Sequence, residues 1–242
     1  MKKIILAAIC LLGAKSVVMA QETTMTTTKT TTATGTSTTT IYQTKDEVKH
    51  GWYLGLGVVA PGDYKINDKL KAAGMPELPS EMFELSIGYN LTYKRFSLDG
   101  EFGTGYMDKK TASDRVTGLM LNMKLRGHYM FLNKGNYSLS AGVDLTYANN
   151  TFDLYSRGNV IDLDDLNPAT HSGHISLYNN QFLAGPSLAF GAFQKSNTPV
   201  RLNVGYDISL ISGKWKSEVA NVSNSLKESD LGVFYAKVVF ML

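Results

Sequence analysis

The chain is poor in the residues that carry most site chemistry. It has 242 residues and one cysteine, Cys10. Cys10 lies in a segment expected to be removed, so the mature protein would have no disulfide, no thiolate metal site and no cysteine nucleophile. The four histidines, His50, His128, His171 and His174, have no metal-ligand spacing. No stretch approaches 18 consecutive apolar residues, so no transmembrane helix is expected. The formal charge is +3, but the first 20 residues hold Lys2, Lys3 and Lys15 and no acid. Without them, 21 bases face 21 acids. A neutral chain with no basic run is a poor binder of nucleic acid, and that class is set aside.

What is present begins with an export signal. Met1-Lys2-Lys3 is a basic start, Ile4 to Gly13 is an apolar run, and Val18-Met19-Ala20 fits a cleavage site before Gln21. Residues 1–20 are therefore read as a signal peptide. Residues 21–50 follow as a threonine-rich segment expected to be disordered, because it has no apolar face to offset ordering entropy. Its role is a linker, or a contact to cell wall or glycan.

Residues 51–242 alternate with period two. Eight segments emerge, near 51–60, 82–91, 94–106, 116–131, 137–148, 181–193, 200–211 and 231–242. The fifth is the clearest: Tyr137, Leu139, Ala141, Val143, Leu145 and Tyr147 alternate with Ser138, Ser140, Gly142, Asp144 and Thr146. Each segment is near the ~9–11 residues of a tilted strand crossing a bilayer. Pro186 interrupts the sixth, where a bulge or weak point is expected because proline gives no ladder donor. Short connections alternate with long ones, near 61–81, 107–115, 149–180 and 212–230. The polar set is rich in Gly and Ser, and the apolar set carries aromatics near segment ends. A soluble barrel would instead face its apolar set inward. The fold class expected is all-β: an eight-stranded antiparallel up-and-down transmembrane β-barrel.

The Gly51-Trp52-Tyr53-Leu54-Gly55 opening, the strand count, the loop alternation and the aromatic last strand resemble the small outer-membrane barrels, the superfamily of the OmpA transmembrane domain, OmpX and the opacity proteins. The chain departs from that pattern in ending on Leu242 rather than Phe. The resemblance implies export to the outer membrane of a Gram-negative-type bacterium, with outer-membrane lipid as surroundings and a monomeric state.

The inward charges are Glu84, Asp99, Glu101, Asp144 and Asp207 against Lys124, Arg126, Arg201 and Lys237. Burial demands pairing, so a cross-barrel network is expected, acting as a structural plug or as a gate. Asp99 and Glu101 should face Lys124 and Arg126 across the third and fourth segments. Enzymatic activity, cofactors and metals are not expected. His171-Ser172-Gly173-His174-Ile175-Ser176 contains a His-x-Ser but no carboxylate at definite spacing to orient it. Asp162-Leu163-Asp164-Asp165 lacks the ligand spacing of an EF-hand. The expected function is a structural or surface-interaction role, adhesin-like, through four long extracellular loops that meet host or cell-surface ligands. Tyr64, Met75, Phe152, Tyr155, Arg157, Tyr178, Trp215 and Lys216 are the contact candidates there. The alternative is a narrow pore or transporter for small or hydrophobic solutes.

Overall fold

The computed structural model describes residues 26–32, 35–41, 48–156, 174–223 and 226–242. The proposed signal peptide, His171 and the acidic run at 162–165 lie outside them.

Residues 1–46 and 47–242 form separate units. In the first, β1 (Thr26–Thr32) and β2 (Gly35–Ile41) pair antiparallel, from Thr26 opposite Ile41 to Thr32 opposite Gly35. The sequence reading expects disorder here. Threonine is β-branched, which favours the extended backbone of the two tracts.

The second unit is a barrel of eight strands: β3 (Lys49–Pro61), β4 (Met82–Tyr93), β5 (Phe96–Lys110), β6 (Asp114–Lys134), β7 (Tyr137–Ser156), β8 (His174–Ala192), β9 (Val200–Ser212) and β10 (Gly232–Met241). Each pairs antiparallel with its sequence neighbours, and β10 closes on β3, with Val238 opposite Leu56. Closure leaves no edge through the wall, which a hydrocarbon surrounding requires.

The expected phase of inside and outside holds. Leu54, Leu85, Phe102, Leu125, Leu145, Leu188, Leu202 and Val238 face outward and are exposed, while Glu84, Asp99, Arg126, Asp144 and Lys237 are buried inside. Aromatic pairs mark the short-turn end of this apolar belt: Trp52 with Tyr89 at 5.0 Å, Phe96 with Tyr129 at 5.2 Å, and Tyr137 with Phe190 at 6.0 Å. Such girdles sit where hydrocarbon gives way to headgroups. The protein is a transmembrane β-barrel.

Three boundaries differ from the sequence reading. The turn joining β4 to β5 is Lys94-Arg95 rather than Thr92-Tyr93, with Lys94 at φ 55°. Residues 107–115 are mostly strand, since β5 and β6 continue to a three-residue turn at 111–113. Likewise β7 and β8 stay paired out to Tyr155 opposite His174, so only 157–173 remains of the long connection read at 149–180. These extensions rise past the apolar belt and no longer need alternating hydrophobicity, so periodicity did not mark them.

Candidate functional site

Nine charged lumen residues meet on the inner faces of six strands, β4 to β7, β9 and β10. Register alone sets Asp99 opposite Arg126 and Glu101 opposite Lys124, as the sequence pattern implies. Across β6 and β7, Arg126 also lies opposite Asp144. The side chains then join into one set. Arg126 lies 3.1 Å from Asp144, 3.4 Å from Asp99 and 3.9 Å from Glu101. Lys124 lies 2.9 Å from Asp207 and 3.2 Å from Asp144. Lys237 bridges Glu84 and Glu101, and Arg201 pairs with Asp99. Every base therefore meets a carboxylate, and every carboxylate a base. Pairing of this kind offsets the desolvation that would otherwise expel these groups from the interior.

Two tyrosines and a histidine complete the set, and charge pairing alone did not point to them. Tyr53 donates to Glu101 at 3.1 Å. Tyr235 donates to Asp144, accepts from Arg126 at 3.1 Å, and places its ring 3.4 Å from the Lys124 ammonium. That cation lies over an electron-rich face while its protons serve Asp144 and Asp207. His128 is buried, with Ser140 at 3.0 Å from Nδ1 and Ser187 at 2.7 Å from Nε2. Ser187 gives its own proton to Asp144 at 2.6 Å, so Nε2 is the donating nitrogen of His128. The signal available in the sequence was the inward parity of Tyr53, Tyr235 and His128, the same parity that marked the charges.

Toward the long-loop end the interior changes character. Val59, Met82, Met107, Val116, Met120, Phe152 and Leu154 point inward and are buried. The connection after β3 drops onto them, carrying Tyr64 and a short helix, α1 (Ile66–Ala72), whose Ile66 and Leu70 are buried. From the connection after β9 come Trp215 and Leu231. Tyr64, Phe152 and Trp215 form a chain of rings, with centroids 5.8 and 5.5 Å apart.

Glu228 locks this cap. It is fully buried, accepts the backbone N–H of Lys65 at 2.7 Å and of Ile66 at 3.1 Å, and accepts the indole N–H of Trp215 at 2.7 Å. One carboxylate thus ties the start of α1 to the other connection. Burial, with the nearby Glu228 charge, pushes the Tyr64 phenol well above its ordinary value. Tyr64, Phe152 and Trp215 were expected at the exposed surface; they are 3–4% exposed and serve the cap instead. Their large apolar area is better buried than left in water, and an open barrel end offers the place.

Outside, beyond the belt, the extended strands form a small sheet with a legible lattice. Lys110, Arg115, Tyr155 and His174 stand side by side across β5 to β8. One step below run Asp108, Thr117, Asp153 and Ser176. Arg115 reaches Asp108 through two contacts at 2.9 and 3.0 Å, and this hydrogen bond holds the Asp108 carboxyl below its usual range. His174 stacks on Tyr155 with centroids 4.6 Å apart, and its Nε2 lies 3.2 Å from Asp153. The sequence reading found no carboxylate to orient this histidine; the β7–β8 register supplies one. That nitrogen faces Asp153 and not Ser176.

No family model and no curated protein matches the chain. Solved structures do. Ail, the attachment invasion locus protein of Yersinia pestis, is 8% identical over 81% of this chain and 98% of its own, with a TM-score of 0.46. Neisserial surface protein A is also 8% identical, over 81% of this chain and 99% of its own, at 0.46. Ail in complex with the heparin analogue sucrose octasulfate is 10% identical over 81% of this chain and 97% of its own, at 0.44.

Proposed function

We propose that the protein is a surface-interaction barrel of a Gram-negative-type outer membrane, whose work is done by the crown above the belt and not by passage through the lumen. The carrying observation is a contrast within one fold. The lumen is filled by paired charges and closed by an apolar cap. Meanwhile β6, β7 and β8 run 21, 20 and 19 residues, against 10 for β10. About ten tilted residues suffice to cross hydrocarbon, so the excess builds an exposed platform. A rigid platform with aromatic and basic side chains in fixed rows is suited to protein or glycan ligands. Chemical catalysis has no part in this reading.

The test is adhesion of intact expressing cells to immobilised matrix protein and to sulfated glycan. Replacing Lys110, Arg115 and Tyr155 together by alanine should leave barrel insertion intact and lower adhesion. Unchanged adhesion in that variant, with wild-type conductance in planar bilayers, would favour the narrow-pore reading instead.

A further inference from the structure

Between the charged layer and the apolar cap lies a cavity of about 30 Å³. Its polar wall includes Asn122, Asn150, Gln181 and Asp207, each no more than 5% exposed. Among the described residues, each of these four carries a buried polar atom without a hydrogen-bond partner: Oδ1 of Asn122, Oδ1 of Asn150, Oδ1 of Asp207 and Nε2 of Gln181. The orientation of Asn122 is fixed, because its Nδ2 donates to Glu84 at 2.8 Å. The second oxygen of Asp207 is already used, accepting from Lys124 and from Thr146 at 2.9 Å each. Acceptors thus outnumber donors three to one around one small space. Unmet buried acceptors are costly, and a native interior rarely leaves several together.

Charge points the same way. The lumen layer holds five carboxylates against four Lys and Arg side chains, one carboxylate in excess, with His128 bonded to Ser140 and Ser187. Water would meet the oxygens but leave that charge unbalanced among buried side chains. We propose that the cavity binds one alkali cation, of sodium or potassium size, between the free oxygens of Asn122, Asn150 and Asp207. A divalent ion suits the site less well. Calcium takes six to eight oxygens, several of them carboxylate. Here Glu84 is committed to Lys237, and Lys124 lines the same wall. The ion couples the charged layer to the cap and stabilises the upper barrel.

The experiment uses the full chain refolded in zwitterionic detergent. Thermal unfolding is followed in sodium, potassium and choline chloride at equal ionic strength. At a tenfold excess over its dissociation constant, the favoured alkali ion should raise the midpoint by about 3–6 °C over choline. Equal midpoints in all three salts would be screening alone and would overturn the site. Asn150→Leu removes one acceptor and no ion pair. It should fold and lose the difference between alkali and choline; a difference that survives would place the ion elsewhere and overturn the assignment. Independently of that variant's folding, wild-type protein refolded in labelled sodium or rubidium should retain one ion per chain after desalting. Retention of none would mean that the cavity holds water only.

Discussion

Arg126 shows how one residue holds this interior. Its side chain is 1% exposed and serves Asp99, Asp144 and Tyr235 at once. Arg126→Ala would strand carboxylates in a closed interior, and breaking a buried pair this way costs about 3–5 kcal/mol. The variant should unfold at lower temperature, read as the shift of the folded band on unheated gels. Its conductance should stay at the wild-type level, because the cap still closes the barrel; a rise would assign the network a gating role. Tyr64 offers a test at the other end. Its folded pKa is raised, so the stability it contributes is full below the ordinary phenol value of about 10 and is lost as pH rises through the folded one. Trp215 fluorescence should therefore report loosening of the cap in strong alkali, and Tyr64→Phe should blunt that change.

The strands themselves differ in how firmly they join. Between Ala184 opposite Ile208 and Ser187 opposite Gly205, the β8–β9 ladder skips Gly185 and Pro186. The register also shifts between Phe182 and Leu183. Pro186 lacks the donor, as its type predicts, and the ladder loses pairs there while keeping one register on either side; the bulge expected at Pro186 falls at Phe182/Leu183 instead. Gly185 permits a close approach of β9 here: a Cβ at this position would collide with the carbonyl oxygen of Tyr206. Gly185→Ala must push β8 and β9 apart, at a cost of about 1–3 kcal/mol. Amides on β9 near Tyr206 should then exchange faster in the variant, while those of the β3–β4 pair should not. Equal protection along both seams would show that the wall absorbs the methyl group elsewhere.

Taken whole, the barrel has two unlike ends. Turns such as Gly135-Asn136, with Gly135 at φ 60°, close one; the cap and the raised strands close the other. A tag inserted between Ala112 and Ser113 should be reached by antibody on intact cells. One after Gly135 should be reached only after permeabilisation. The reverse pattern would invert the proposed orientation and remove the crown from the cell surface.

The period-two pattern of the chain determined the barrel, its eight strands, the phase of inside and outside, and the opposition of Asp99 and Glu101 to Arg126 and Lys124. All of these follow from local alternation and from adjacency of neighbouring strands, which a sequence carries directly. Strand lengths past the belt were not legible, because Asp108, Thr117 and Asp153 need no apolar partner there. Nor was the cap. Val59, Met107, Met120 and Phe152 are inward apolar residues at one end of a barrel whose middle layer is charged and polar. Only the descent of Tyr64, α1 and Trp215 onto them shows what they bury against. The reach of Lys124 to Asp207, of Lys237 to Glu101, and of Glu228 to Trp215 and the start of α1 was likewise decided by the closed ring. Closure brings distant strands and connections within a side chain's length, and no local pattern records that distance.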